Sequence, residues 1–203
     1  MSEDVYFTIT SPASVAIYKD KGSKFLGYAF PITSEDDVKP IIEQLKKEHH
    51  AARHWCYAWQ LGVEDIKYRV NDDGEPSNSA GKPIYGQLLS KNVTNILTVV
   101  VRYYGGINLG VGGLIQAYKT AAKYCLEEAT IVEKRLQVTF TIKFEYKDLN
   151  NVMRFIKDNN LHIVSQTMEM NCNIKLSVRK TEALKIEQLL TDFYGVDFTI
   201  NQS

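Results

Sequence analysis

Residues Ile96-Leu97-Thr98-Val99-Val100-Val101 form a β-branched, almost wholly apolar run with no polar alternation. A strand with one wet face alternates polar and apolar side chains; a strand that does not alternate is covered on both faces. The segment from Asn95 to Tyr104 therefore reads as a central strand, and the remaining chain has to supply a sheet around it. Directly after it comes a glycine-rich turn, Gly105 to Gly113. A helix rich in Ala and Leu, Leu114 to Ala129, follows. Strand, glycine turn and helix thus form one continuous unit.

The flanking sequence supplies the other elements. Tyr6–Ile9, Ser14–Lys19 and Lys24–Ile32 read as strands. Ser34, with Asp37 three residues on, approximates a capping box that opens a helix through about His49. Trp55 to Val63 reads as a strand with Lys67–Val70 as its hairpin partner. Asn71 to Lys82 is polar and without period, a loop, and Pro83 starts a short helix to about Lys91. Beyond residue 135 the pattern changes. Val138, Phe140, Ile142 and Phe144 alternate along a half-buried strand. Leu149, Val152, Met153 and Ile156 then recur at helical spacing, with Asp148 at the helix N-terminus. Leu161–Thr167 and Met170–Val178 form a hairpin. Thr181 is the expected cap of a second helix that Gly195 ends, and Val196–Ile200 is the last strand. The order β-α-β-β-α-β is the split, ferredoxin-like arrangement. The fold class is α+β, with domains at 1–134 and 135–203 and a boundary near Glu133–Leu136.

Composition excludes several alternatives. The 203 residues are 44% hydrophobic and 24% charged, ordinary for a globular chain. No apolar run approaches the ~20 residues that span a bilayer, so no membrane association is expected. Residues 1–10 lack the basic-then-apolar pattern of a secretory signal. Cys56, Cys125 and Cys172 are scattered and odd in number, which suits a reducing, cytoplasmic location and no disulfide framework. Lys+Arg and Asp+Glu are both 24. Residues 1–135 carry 16 of each sign, leaving eight of each beyond them, so no basic module is masked by an acidic one. Broad phosphate neutralisation is therefore not expected, and any RNA contact would be local.

Three segments carry more chemistry than packing requires: Ala52-Arg53-His54-Trp55-Cys56-Tyr57-Ala58; Asp72-Asp73-Gly74-Glu75-Pro76-Ser77-Asn78-Ser79-Ala80-Gly81-Lys82-Pro83; and Val101-Arg102-Tyr103-Tyr104-Gly105-Gly106 continued by Leu109-Gly110-Val111-Gly112-Gly113-Leu114. Together they resemble the IMPACT family, over the whole chain. Many members read Phe at Tyr104 and Gly-Thr at Asn78-Ser79. The resemblance implies that residues 1 to about 134 adopt the fold of the second domain of ribosomal protein S five, shared with domain four of elongation factor G. It implies a C-terminal domain like domain five of that factor. Eukaryotic members regulate translation by blocking activation of a kinase, partly through an additional N-terminal domain that these residues do not contain.

Each segment admits a binding and a structural reading. In the glycine turn, Gly105, Gly106, Gly110, Gly112 and Gly113 can bring backbone N–H groups to an anion at a helix N-terminus, or can simply allow a tight crossover. A Walker A loop is excluded, because Val111 stands where the lysine is required. Asp72, Asp73 and Glu75 can hold a cation or act as acid and base; they equally suit turns and caps. His54 and Cys56 share a strand face, as metal ligands, as a dyad or as packing. Arg102 either recognises an anion or pairs with the Asp72–Glu75 acids. The expected binding set is Arg53, His54, Asp73, Glu75, Lys82 and Arg102 with the five glycines. No cofactor and no metal set is assigned. The expected partners are RNA or the ribosome, or else a translation factor or kinase. The rival expectation is an enzyme that binds phosphate or nucleotide.

Overall fold

The computed structural model describes residues 4–169 and 171–202. Met170, the expected start of one strand, lies outside the described residues, as do residues 1–3 and 203 at the ends of the expected domains. The chain divides into two compact units, one of residues 6–134 and one of the described residues 4–5 with 135–202.

The chain begins with β1 (Val5–Ile9), β2 (Ala16–Asp20) and β3 (Ser23–Pro31). A 3-10 turn at Glu35–Asp37 leads into α1 (Val38–Glu48). Then come β4 (His54–Leu61), β5 (Lys67–Asn71), α2 (Gly81–Lys91), β6 (Ile96–Tyr103), α3 (Gly110–Glu128) and β7 (Ile131–Arg135). Five strands form one sheet in the order β2-β3-β6-β4-β5, every neighbouring pair antiparallel. β6 is its middle strand, and every residue from Ile96 to Arg102 is buried. The cause is a helical layer on each face. Phe25, Ala29, Cys56, Ala58, Ile96 and Val100 pack with Ile84 and Leu88 of α2 and Ala117, Tyr118 and Ala121 of α3. Tyr28, Trp59, Leu97, Val99 and Val101 pack on the other face with Val38 and Leu45 of α1. The capping box at Ser34 is present: Asp37 Oδ2 accepts the backbone N–H of Ser34 at 2.9 Å and of Thr33 at 2.7 Å.

Three details differ from the sequence reading here. The α3 helix starts at Gly110, four residues before the expected Leu114, so Gly110, Gly112 and Gly113 belong to its first turn and not to the connecting turn. Residues 131–135 form a strand, β7, which pairs with β1 in a separate two-stranded sheet. The pairing partner lies more than a hundred residues away, so no local pattern announces it. The α2 helix starts two residues earlier than Pro83, at Gly81, because a remote carboxylate caps it, as described below.

The second unit runs β8 (Gln137–Glu145), α4 (Leu149–Asp158), β9 (His162–Thr167), β10 (Asn171–Arg179), α5 (Lys180–Thr191) and β11 (Val196–Gln202). Its antiparallel sheet has the order β11-β8-β10-β9. The alternating residues Val138, Phe140, Ile142 and Phe144 do face the core, against Val152 and Ile156 of α4 and Ile186 and Leu190 of α5. Thr181 is not the cap of α5. The helix begins at Lys180, and the Thr181 hydroxyl donates to Asp4 Oδ2 at 3.1 Å. Asp4 is 1% exposed, and the Arg179 guanidinium grips both of its oxygens, Nε at 2.5 Å and Nη2 at 2.9 Å. Buried charges need such pairing to offset lost hydration.

Candidate functional site

The sheet register brings the three motif segments together. β4 and β6 pair so that His54 stands opposite Arg102. β5 pairs with β4 and ends at Asn71 opposite Tyr57, so the acidic loop starts beside the first residues of β4. Asp72 to Glu75 is a tight turn closed by Glu75 N–H to Asp72 C=O at 2.9 Å. Asp73 and Gly74 both have positive φ, +43° and +86°, the backbone of a type I′ turn.

Every carboxylate of this loop is engaged by the protein. Asp72 Oδ1 accepts the N–H groups of Ala80 at 3.0 Å and Gly81 at 2.9 Å, and Oδ2 that of Asn78 at 2.9 Å. It thus satisfies the otherwise unpaired first donors of α2 from eight and nine residues away. Asp73 Oδ2 accepts the Trp55 N–H at 2.7 Å, and the Asp73 carbonyl accepts from His54 Nδ1 at 2.8 Å. A carbonyl oxygen only accepts, so that nitrogen carries a proton. Cys56 donates its S–H to the Asp72 carbonyl at 3.0 Å.

Glu75 is the centre of the arrangement. Its side chain is 4% exposed and that of Arg102 is 6% exposed. Arg102 Nη1 donates to Glu75 Oε1 at 2.6 Å, and the Tyr118 hydroxyl donates to the same oxygen at 2.7 Å. His54 Nε2 stands 3.8 Å away, beyond hydrogen-bond reach. The guanidinium lies 5.5 Å from the Phe25 ring centroid and 5.4 Å from that of Tyr104. Its Nε is buried with no hydrogen-bond partner among the described residues. Of the two readings for Arg102, the ion pair to the acidic loop is the one observed. Burial pushes the Tyr118 hydroxyl and the Cys56 thiol far up from their ordinary values. Cys56 is thus a thiol at neutral pH and no activated nucleophile. Among the described residues no group of three His, Cys, Asp or Glu is placed to hold a metal ion.

The expected glycine turn divides in two: Gly105 and Gly106 lie in the connection that follows β6, and Gly110, Gly112 and Gly113 lie in the first turn of α3. Gly105 is fixed by packing: a Cβ there would lie 2.0 Å from the Gly22 carbonyl carbon. Its N–H donates to Ser23 Oγ at 3.1 Å. Gly106 and Gly110 have positive φ, +86° and +72°, and are exposed. A Cβ on Gly113 would meet Leu109 Cβ at 2.9 Å, whereas one on Gly112 would meet nothing within 4 Å. Arg53 and Lys82 are exposed, Arg53 beside the end of β6 through its N–H to the Arg102 carbonyl, and Lys82 in the first turn of α2. The expected residues therefore separate into a buried, mutually engaged group (Glu75 and Arg102, with His54 and Asp73 half-buried beside them) and an exposed group of Arg53, Lys82 and glycine backbone. Tyr118 was not anticipated. Its only sequence signal is a hydroxyl-bearing ring in an otherwise small-residue stripe, Ala117, Ala121 and Ala122.

All of these residues lie within the segment, 21–126, that matches the model of the Impact N-terminal domain. The chain is similar to the IMPACT family member YigZ of Escherichia coli, 31% identical over 175 residues that cover 85% of this chain and 86% of YigZ. It is 29% identical over 187 residues to the IMPACT family member YvyE of Bacillus subtilis, covering 92% and 86%. Among solved structures, the crystal structure of a hypothetical protein matches with a TM-score of 0.68 and 26% identity, covering 98% of each chain. A domain match over half of the chain, relatives aligned over most of it, and the three motif segments in one place on the sheet all lead to one assignment: the chain belongs to the IMPACT family.

Proposed function

We propose that this protein is a translation-associated binding protein of the cytoplasm that engages RNA or the ribosome through the exposed glycine turn with Arg53 and Lys82. The observation that carries this reading is Gly112. Its φ lies outside the left-handed region, and an added side chain would meet nothing within 4 Å. Glycine weakens a helix by up to ~1 kcal/mol relative to alanine. Neither packing nor backbone strain demands glycine there, whereas the close approach of a partner does. The exposed N–H groups of the first turn of α3 suit an anionic partner such as a phosphate. His54, Asp73, Glu75 and Arg102 then act as the brace that shapes this surface from below. Asp72, Asp73 and Glu75 are all engaged by protein donors, which favours binding over acid–base or metal-assisted chemistry. The family's role in translation supports the choice of partner, as do the likenesses the motifs imply to ribosomal protein S five and to elongation factor G. We read residues 1–134 and 135–203 as the two corresponding domains.

A second reading has its own support. Ile107 and Val111 are 56% and 53% exposed at the same turn, which suits a protein partner such as a translation factor or kinase. Two measurements decide: cosedimentation with ribosomes, and RNA titrations at low and high salt, each on the native chain and on Gly112→Glu. Saturable binding that weakens with salt and is lost in Gly112→Glu is expected. No binding to ribosomes or RNA at low salt, where phosphate contacts are strongest, overturns the first reading.

A further inference from the structure

On the sheet face away from Tyr118 and Glu75 is a groove of about 350 Å³ between α1, β4 and β5. Trp55, Tyr57 and Trp59 alternate along β4, so all three project to this face, and all three line the groove. Trp59 is 4% exposed and forms its floor, while Trp55 and Tyr57 are half-buried. The Trp55 indole N–H donates to the Leu45 carbonyl at the end of α1 at 3.3 Å. Its orientation is thereby set by the helix. Such a volume is at the small end of the range for ligand sites.

The polar lining is of three kinds. Lys46 Nζ lies 5.4 Å over the Trp55 ring. Arg69 stands on β5 opposite Trp59, and among the described residues neither cation makes an ion pair. Glu43 faces Lys39 at 4.0 Å. Asp73 uses Oδ2 for the Trp55 N–H, and a carboxylate retains capacity for further donors. Half-buried ring faces bind planar groups by stacking. Two unpaired cations bind an anion, and a carboxylate acceptor selects an amino group. Glu35 also lines the groove, so its acids (Glu35, Glu43, Asp73) and its cations (Lys39, Lys46, Arg69) balance. A ligand that carries both an anion and an N–H donor answers both, whereas a purely apolar ligand would leave these charges desolvated.

We propose that this groove binds an amino-bearing nucleotide. Its base stacks on the Tyr57 ring and replaces Lys46 over the Trp55 ring, its exocyclic amino group donates to Asp73, and its phosphate pairs with the displaced Lys46 and with Arg69. A free mononucleotide and an unpaired residue of single-stranded RNA present the same chemistry. The groove and the glycine segment share Asp73, which no test substitution alters, and otherwise use different residues, so either function can fail alone.

The chain has two tryptophans, and both line the groove. Their two indole N–H signals in a ¹H–¹⁵N spectrum therefore report on this site directly. The native chain is titrated with AMP, GMP, CMP, UMP and guanosine, and with a single-stranded RNA tetramer. The expected result is a saturable shift of both signals with AMP, GMP and CMP, and affinity for UMP weaker by about fivefold or more. Arg69→Ala should weaken mononucleotides several-fold and leave guanosine unchanged. Tyr57→Ala should weaken every ligand by about tenfold, with circular dichroism confirming the fold. Tighter binding of the tetramer than of mononucleotides assigns the ligand to RNA, and the reverse assigns it to free nucleotide. No saturable shift with any ligand overturns the proposal. So does binding that neither substitution alters.

Discussion

Glu75→Ala tests whether the Glu75–Arg102 contact is a buried brace or an incidental pair. The two side chains are 4% and 6% exposed, and the carboxylate oxygen accepts at 2.6 Å from Arg102 and 2.7 Å from Tyr118. Truncation leaves a buried guanidinium whose Nε already has no partner, and a buried hydroxyl without an acceptor. Removing one member of a buried pair costs about 3–5 kcal/mol, most of it the desolvation of the charge left behind. A unit of this size shifts by about 3–5 °C per kcal/mol, so the melting temperature should fall by about 9–25 °C. Thermal and urea unfolding followed by tryptophan emission are the assays, since both tryptophans lie in the first unit. Lys39→Ala is the control. Its pair with Glu43 spans 4.0 Å, with side chains 85% and 57% exposed, and should change stability by less than about 0.5 kcal/mol. Glu75→Leu combined with Arg102→Met should recover much of the loss, because the stranded charge is gone. A cost below about 1 kcal/mol for Glu75→Ala, or a double variant no better than the single one, would refute the reasoning that desolvation dominates.

Two neighbouring glycines should respond in opposite directions. Gly105→Ala forces a Cβ to within 2.0 Å of backbone and should cost about 3 kcal/mol or prevent folding. Gly112→Ala should add up to about 1 kcal/mol of helix stability, read by the same unfolding curves. The N–H groups of Thr33 and Ser34 hold the Asp37 carboxyl below its ordinary value. Its stabilisation is therefore present above the unfolded pKa near 3.8 and is lost as pH falls through the lower folded value. The stability difference between the native chain and Asp37→Asn should accordingly shrink as pH falls from 6 to below the unfolded value near 3.8, and a constant difference would contradict this. Burial pushes the Cys125 thiol up to about 12 and raises Cys56 as well. Iodoacetamide at pH 8 should label neither in the native protein and both in urea, as counted by mass spectrometry.

The sequence alone determined what short-range pattern encodes. Unbroken apolar β-branched residues mark β6 as doubly covered, because no side chain there tolerates water. Period-two and period-3.6 spacing after residue 135 yields β-α-β-β-α-β in the observed order, because each element exposes one face and buries the other. The motif segments were legible as chemically dense, and their grouping followed the family resemblance. Tertiary structure decided the use made of each residue. Asp72 caps a helix eight residues on, Glu75 meets Arg102 across 27 residues and Tyr118 across 43. β7 exists because β1 is beside it. Trp55, Tyr57 and Trp59 line a groove because α1 lies beside that face of β4. A side chain's role is set by the partners that sheet order and helix placement bring within about 3 Å. Those partners are distant along the chain, so residue type and local spacing carry no record of them.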